Sequence, residues 1–287
     1  MIPGKKMLDN LGYLLEWVDY APGYFSINDV ANSLDERFIY TEKFEKLVKT
    51  GFLERHGSRR GMYRKKESNL IEMDFKNIEA HPVDLWLPFE LSDEVEIYKG
   101  NIIIISGVPN SGKTGVVLNV VKENRHDWNV HYFNSEMSAD ELRKRLDKFP
   151  DIGIDDWNFH AYSRGENFGD VIQPGTENLN IVDFLEVHDE FYMIGKKIKE
   201  IHDKLDGAIG IICLQKNPGS DTGLGGYRMM EVARLAITIE SGTVKITKAK
   251  NFRKPDRNPN GLKRDFKLLD GCRISTRHPW YREKPKE

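Results

Sequence analysis

The stretch Gly107-Val108-Pro109-Asn110-Ser111-Gly112-Lys113-Thr114 carries the most specific chemistry in the chain. Two glycines five residues apart, then lysine and a hydroxyl residue, fit the phosphate-binding pattern G-x-x-x-x-G-K-[ST]. Glycines there let the backbone fold into a cup of N–H donors. The aliphatic run before the loop and the helical "TGVVLNVVKEN" after it place that cup at a helix N-terminus, where the dipole favours anions. In such a loop the lysine reaches the β and γ phosphates and the threonine hydroxyl helps to hold Mg²⁺. Residues Gly107 through Gly115 are therefore expected to bind ATP, with Lys113 as the phosphate lysine and Thr114 as a metal ligand.

Acids and amides at the ends of neighbouring strands would complete the site. The aliphatic stretch "LNIVD" ends at Asp183, well placed to hold the metal through water. Phe184 follows it, so there is no adjacent Asp-Glu pair and a general base must come from elsewhere. Glu136 stands just past "NVHYFN", the next strand-like run after the loop; Glu186 is a rival. Gln215 closes "AIGIICLQ", within reach of a γ phosphate. In a parallel sheet the carboxyl ends of neighbouring strands open onto one crevice, so these groups can converge there. Ordinary roles stay open for two of them: Glu136 could simply flank a helix that Ser138 and Glu141 already cap, and Gln215 could satisfy backbone groups.

The elements that must position these residues alternate. Strand-like runs "NIIIIS", "NVHYFN", "LNIVDFL" and "AIGIICL" are separated by helical segments near 113–124, 138–148 and 190–206. "LAITIE", "TVKITKAK" and "KRDFKLL" then follow without helices. The pattern predicts an α/β domain with a mostly parallel sheet and an antiparallel extension. In "TVKITKAK", strict alternation puts Lys248 and Lys250 on the same face as Val244 and Ile246, an odd place for two ammonium groups unless they emerge at a boundary. A bulge would instead turn them outward.

The first 66 residues differ in character. Leu8, Leu11, Leu14, Leu15 and Val18 recur at helical spacing, "SINDVANSL" opens with a capping box between Ser26 and Asp29, and "FIYTEKFEKLVKTG" supplies another helix stopped at Gly51. "FLERHGSRRGMYRKK" reads as a hairpin. Three helices and a hairpin resemble a winged helix-turn-helix module, and Arg55, Arg59, Arg60 and Arg64 are its candidate DNA contacts. The expected division is a winged-helix domain over 1–66, a linker over 67–92 and the α/β domain over 93–287.

Composition narrows the setting. The 287 residues hold 43 Lys+Arg against 45 Asp+Glu, so any affinity for nucleic acid must come from local patches. Two cysteines form neither a metal spacing nor a disulfide framework, which suggests a reducing cytoplasm, and no run is long enough to span a bilayer.

The order of phosphate loop, acid after the second strand, single Asp on the third, Gln after the fourth and then a Gly-rich loop resembles the RecA-like ATPases, the recombinases and DnaB-type hexameric helicases. "NSEMSADEL" is similar to the DnaB-type segment, whereas "TGLGGYRMMEVARLAITI" with "VKITKAKN" is more like bacterial RecA. The likeness spans roughly 85–275. It implies a homo-oligomeric ring or filament with ATP sites at subunit interfaces. Lys248 and Lys250 of one copy would complete the site of the next, with Arg253 as a fallback. It also implies DNA against the loop 216–228, where Lys216, Tyr227 and Arg228 would make the contacts. The expected function is a Mg²⁺-dependent ATPase that moves on or remodels DNA, of helicase or recombinase type. The alternatives are an ATP-gated DNA-binding regulator or loader, and an ATPase with no nucleic-acid role.

Overall fold

Four successive isoleucines, Ile102 to Ile105, can be buried only if both faces of their strand are covered, and both are. The structure, a computed structural model, describes residues 10–21, 23–31, 34–67, 70, 72–186 and 193–283. It divides into two units, Met1–Ile78 and Glu79–Glu287, each taken by itself below.

In the larger unit the strand of isoleucines is β4 (Ile102–Gly107), followed in chain order by α3 (Lys113–Asn124), β5 (Asn129–Asn134), α4 (Ala139–Leu146), β6 (His160–Ser163), β7 (Asn178–Asp183), α5 (Ile194–His202), β8 (Ile209–Gln215), β9 (Leu235–Glu240), β10 (Thr243–Ala249), β11 (Lys263–Leu269) and β12 (Arg273–Thr276). The strands and α-helices that precede β4 belong to the smaller unit. The sheet order is β12-β11-β10-β9-β4-β8-β7-β5-β6. All pairings from β9 to β6 are parallel, and those from β9 out to β12 are antiparallel, as the sequence pattern predicts. Ile103 and Ile105 pack on the α3 side with Val116, Val117 and Val120, while Ile102 and Ile104 pack on the α5 side with Ile194, Ile198 and Ile201. The helical segment expected from residue 190 begins outside the described residues; its described part is α5.

Part of the stretch expected to be a linker is built into this unit. Leu85, Leu87, Phe89 and Leu91 are buried in the α3-side core, while Leu70, Met73, Phe75 and Ile78 are exposed. At Phe89 and Glu90 the backbone takes the left-handed conformation, with φ of 64° and 58°, which side-chain-bearing residues rarely adopt. Arg264 of β11 holds this kink. Its guanidinium donates to the Phe89 carbonyl at 2.7 Å and to both Glu90 carboxylate oxygens at 2.8 and 2.9 Å, and the Trp280 indole N–H also reaches Phe89 O at 3.0 Å. Arg264→Ala should therefore destabilise this unit by about 2–3 kcal/mol in denaturant titrations, because a buried cation's hydrogen bonds vanish while the strained kink remains. Arg264 also holds the Glu90 carboxyl below its ordinary range, so the stabilisation from this pair is present at neutral pH and fades as pH falls through the lowered Glu90 value.

The smaller unit contains α1 (Asn10–Tyr20), β1 (Phe25–Ser26), α2 (Leu34–Lys49), β2 (Leu53–Arg55) and β3 (Met62–Lys65), with an antiparallel sheet of order β1-β3-β2. Phe44 is fully buried at its centre, edge-on to Tyr63 at 4.9 Å and to Phe25 at 6.0 Å. Ser26 and Asp29 form the expected box, with Ser26 N donating to Asp29 Oδ2 at 2.6 Å. It closes a single 3-10 turn, Ile27–Asp29, where the sequence suggested a helix. Leu8 lies outside the described residues. Among the described residues no helix is long and apolar enough to cross a membrane.

Candidate nucleotide site

Strand register brings the site together. Gly107 at the end of β4 is level with Gln215 at the end of β8, and Asn134 at the end of β5 is level with Asp183 at the end of β7. The carboxyl ends of four parallel strands therefore border one pocket of about 290 Å³, lined by Pro109, Asn110, Gly112, Lys113, Thr114, Glu136, Arg145, Asp183, Phe184 and Gln215. Lys113, Thr114, Glu136, Asp183 and Gln215, which the sequence singled out, meet there.

The loop is shaped by sterics as much as by charge. A Cβ on Gly107 would strike the Ser111 hydroxyl, and one on Gly115 would come within 2.7 Å of the Gly271 carbonyl, so the loop and the first turn of α3 are pressed close to their neighbours. Gly112 caps α3 at φ 93°, and Asn110 is also left-handed at 59°. The Lys113 ammonium donates to the carbonyls of Gly107 and Val108 at 3.0 and 3.1 Å. Burial pushes it below the ordinary lysine value, against the pull of Asp183 and Glu136.

Asp183 is buried, and burial raises its carboxyl above the usual range while hydrogen bonds from Tyr132 and Thr114 pull it back. Glu136 is exposed at the pocket's rim, and its backbone N–H is held by Asn134 Oδ1 at 3.2 Å. Ser138 and Glu141 do form their box, with Ser138 N donating to Glu141 Oε2 at 2.8 Å, so α4 is capped without Glu136. Glu136 is thus left to face the pocket.

Arg145 is the lining residue that sequence reasoning missed. It lies on α4, between Arg143, Lys144 and the buried Leu146, and three cations in one helical turn gave no sign of which would turn inward. Spacing held the clue: Arg145 lies three residues after Leu142, which packs on the core, and next to Leu146.

A second pocket, about 730 Å³, shares Asn110 and Gly112 with the first and extends along Ser111, Ser241, Gly242, Asp265 to Leu268, Arg277 and His278. The loop thus has open space on both sides, one acid-lined and the other bordered by the β9–β10 turn and β11.

Two expectations need correction. Lys216, expected to contact DNA, is buried: its ammonium donates to Glu240 Oε1 at 2.5 Å and to the Ser220 carbonyl at 2.6 Å. Those bonds tie the start of the Gly-rich loop to the end of β9, and such a cation is not presented at the surface. Arg228 and Tyr227 are exposed. Lys248 and Lys250 do not share the face of Val244 and Ile246. A register shift between Ile246 and Lys248 inserts one residue, after which Ala249 takes the buried side and Lys248 the other. Lys248 donates to the carbonyls of Met230 and Glu231, and burial together with Lys250 and Arg234 lowers its ordinary value. Lys250 is exposed.

The end of β10 is also remote from the phosphate loop. Ala249 pairs with Leu235, which pairs with Ile103, four residues or roughly 13 Å along the strand from Gly107. Neither lysine lines the pocket of its own chain.

In the smaller unit, Arg59 and Arg60 are exposed at the β2–β3 turn. Arg55 pairs with Glu45, and Arg64 with Glu54 at 2.5 Å, so two of the four candidate DNA contacts already have acidic partners.

No family model and no curated protein matches the sequence. Among solved structures, the KaiC-like protein of Pyrococcus horikoshii is 15% identical with a TM-score of 0.53, over 71% of this chain and 100% of that one. The RadB recombinase is 13% identical with a TM-score of 0.45, over 64% of this chain and 94% of its own. At such identities likeness speaks to fold, and with the parallel sheet and phosphate loop above, the chain has the RecA-like P-loop fold.

Proposed function

We propose that the chain is a Mg²⁺-dependent ATPase that acts on DNA as an assembly of copies. The observation that carries this reading is the convergence of Lys113, Thr114, Glu136, Arg145, Asp183 and Gln215 on one pocket at the carboxyl ends of parallel strands. The triphosphate would lie in the loop's N–H cup, its γ end toward the acids and its nucleoside toward the larger pocket beside Ser111. Lys113 and Arg145 would offset phosphate charge, Glu136 would orient and deprotonate water, and Gln215 would report the γ phosphate to the loop that follows it.

The donor set suits Mg²⁺. Thr114 and Asp183 offer one hydroxyl and one carboxylate, and no group of three or more His, Cys, Asp or Glu able to hold a metal occurs among the described residues. Mg²⁺ is commonly bound this way, by one or two protein oxygens with water and substrate phosphates. When bound it would neutralise charge between the β and γ phosphates.

The DNA role rests on the exposed Arg228 and Tyr227 of the Gly-rich loop and on Arg59 and Arg60 of the smaller unit, which we read as a winged helix. Lys250, exposed and far from its own phosphate loop, would serve a neighbouring copy. Phosphate release measured alone, with single-stranded DNA and with duplex should rise severalfold with one of the two DNA forms, and a strand-displacement assay then separates translocation from remodelling. No stimulation by either form would overturn the motor reading. Retained DNA binding in that case would favour an ATP-gated regulator or loader, which the Lys216 tie on the Gly-rich loop would suit.

A further inference from the structure

The Asp183 carboxylate owes its orientation to a residue outside the pocket lining. Tyr132, on the neighbouring strand β5 and level with Ile181, is fully buried, and its hydroxyl donates to Asp183 Oδ2 at 2.6 Å. Its ring lies edge-on to Phe159 at 6.2 Å, so packing on that side uses the ring and not the oxygen. The hydroxyl is spent on Asp183. The Thr114 hydroxyl, which a metal would claim, and the Cys213 thiol, a weak donor, also act on this carboxylate electrostatically.

We propose that Tyr132 is a positioning residue for Asp183: by holding Oδ2 from within the core it presents the other carboxylate oxygen to the water shell of Mg²⁺. The proposal rests on the nucleotide reading above. Partners that orient a metal-holding carboxylate matter because their loss lets it rotate away, at a cost of about 10- to 100-fold in metal affinity. A carboxylate that holds the metal through water should fall at the lower end of that range.

The experiment is equilibrium binding of a fluorescent ADP analogue, titrated with Mg²⁺ from an EDTA baseline. Tyr132→Phe should raise the half-saturating Mg²⁺ concentration about tenfold and leave metal-free ADP affinity within about twofold. Tyr132→Met, smaller but equally without a donor, should shift it equally, whereas a packing role would make the shift follow side-chain volume. In an Asp183→Asn background Tyr132→Phe should add nothing, since the tyrosine acts through that carboxylate. An unchanged Mg²⁺ requirement in Tyr132→Phe, or two substitutions whose effects simply add, would overturn the proposal. If the unaltered protein bound no nucleotide, the reading of the pocket itself would fall, which is a different outcome.

Discussion

Lys113→Ala is expected to lower the rate of ATP hydrolysis by about three orders of magnitude and nucleotide affinity by about a hundredfold. Both effects have one cause. The Lys113 ammonium is the cation carried on the phosphate loop itself, held over the loop by the Gly107 and Val108 carbonyls and partly desolvated. In that setting a charge-assisted hydrogen bond to phosphate is far stronger than in water, so its removal is felt in the ground state and more in the transition state. Stability should hardly change, because the side chain gives the fold only two hydrogen bonds to carbonyls of its own loop. Steady-state phosphate release, equilibrium binding and thermal melting of the same preparation distinguish these effects. A variant that melted normally and still hydrolysed ATP at more than about a tenth of the native rate would show that the loop is not the catalytic phosphate site. Arg145 offers a graded comparison. Lining the same pocket from α4, it should weaken hydrolysis less than Lys113 when replaced by Ala, since it is not part of the loop that cradles the phosphates.

The phosphate loop was legible because its chemistry restricts residue type. A backbone that must approach a phosphate needs glycine at fixed places, and Gly107 and Gly112 occupy positions where a Cβ would collide with Ser111 and Leu268. Strands buried on both faces were equally plain, for runs such as Ile102–Ile105 have few other ways to be satisfied. Edges were not. β6 (His160–Ser163) is exposed along its length and β12 (Arg273–Thr276) is half-buried throughout, so neither shows the alternation that marks a strand with one dry face. Lys216 was misread because a charge beside a Gly-rich loop looks solvated, and only the fold brings Glu240 within reach of it. The parity of Lys248 and Lys250 failed for a geometric reason: a single inserted residue inverts every side chain after it, and nothing in "TVKITKAK" marks where the insertion falls. Burial of Leu85 to Leu91 shows the converse, in that apolar residues around a proline, outside any strand or α-helix, can still belong to the core.

Glu136→Gln should lower the hydrolysis rate by about 10² to 10⁴ while ATP affinity stays within about twofold, since an amide at the pocket's rim keeps the shape of the carboxylate but cannot take a proton. Lys250→Ala should cost a similar factor for a different reason, the loss of a cation that neutralises charge developing on the transferred phosphoryl group. The two side chains cannot serve one site within one chain, because Glu136 lies at the carboxyl end of the parallel strands while Lys250 follows β10 at the opposite end. Mixing the two inactive variants tests whether they meet across copies. Each Lys250→Ala copy retains Glu136 and each Glu136→Gln copy retains Lys250. With equal amounts assembling at random in a head-to-tail array, about one interface in four joins an intact Glu136 to an intact Lys250, and about a quarter of the native rate should return. If the lysine acts within its own chain, or not at all on phosphate, no mixture can unite the two groups and the rate stays at the level of the separate variants. A two-fold pair, in which residue i of each copy meets residue j of the other, would return the same quarter, so recovery shows that the two groups meet across copies in either arrangement.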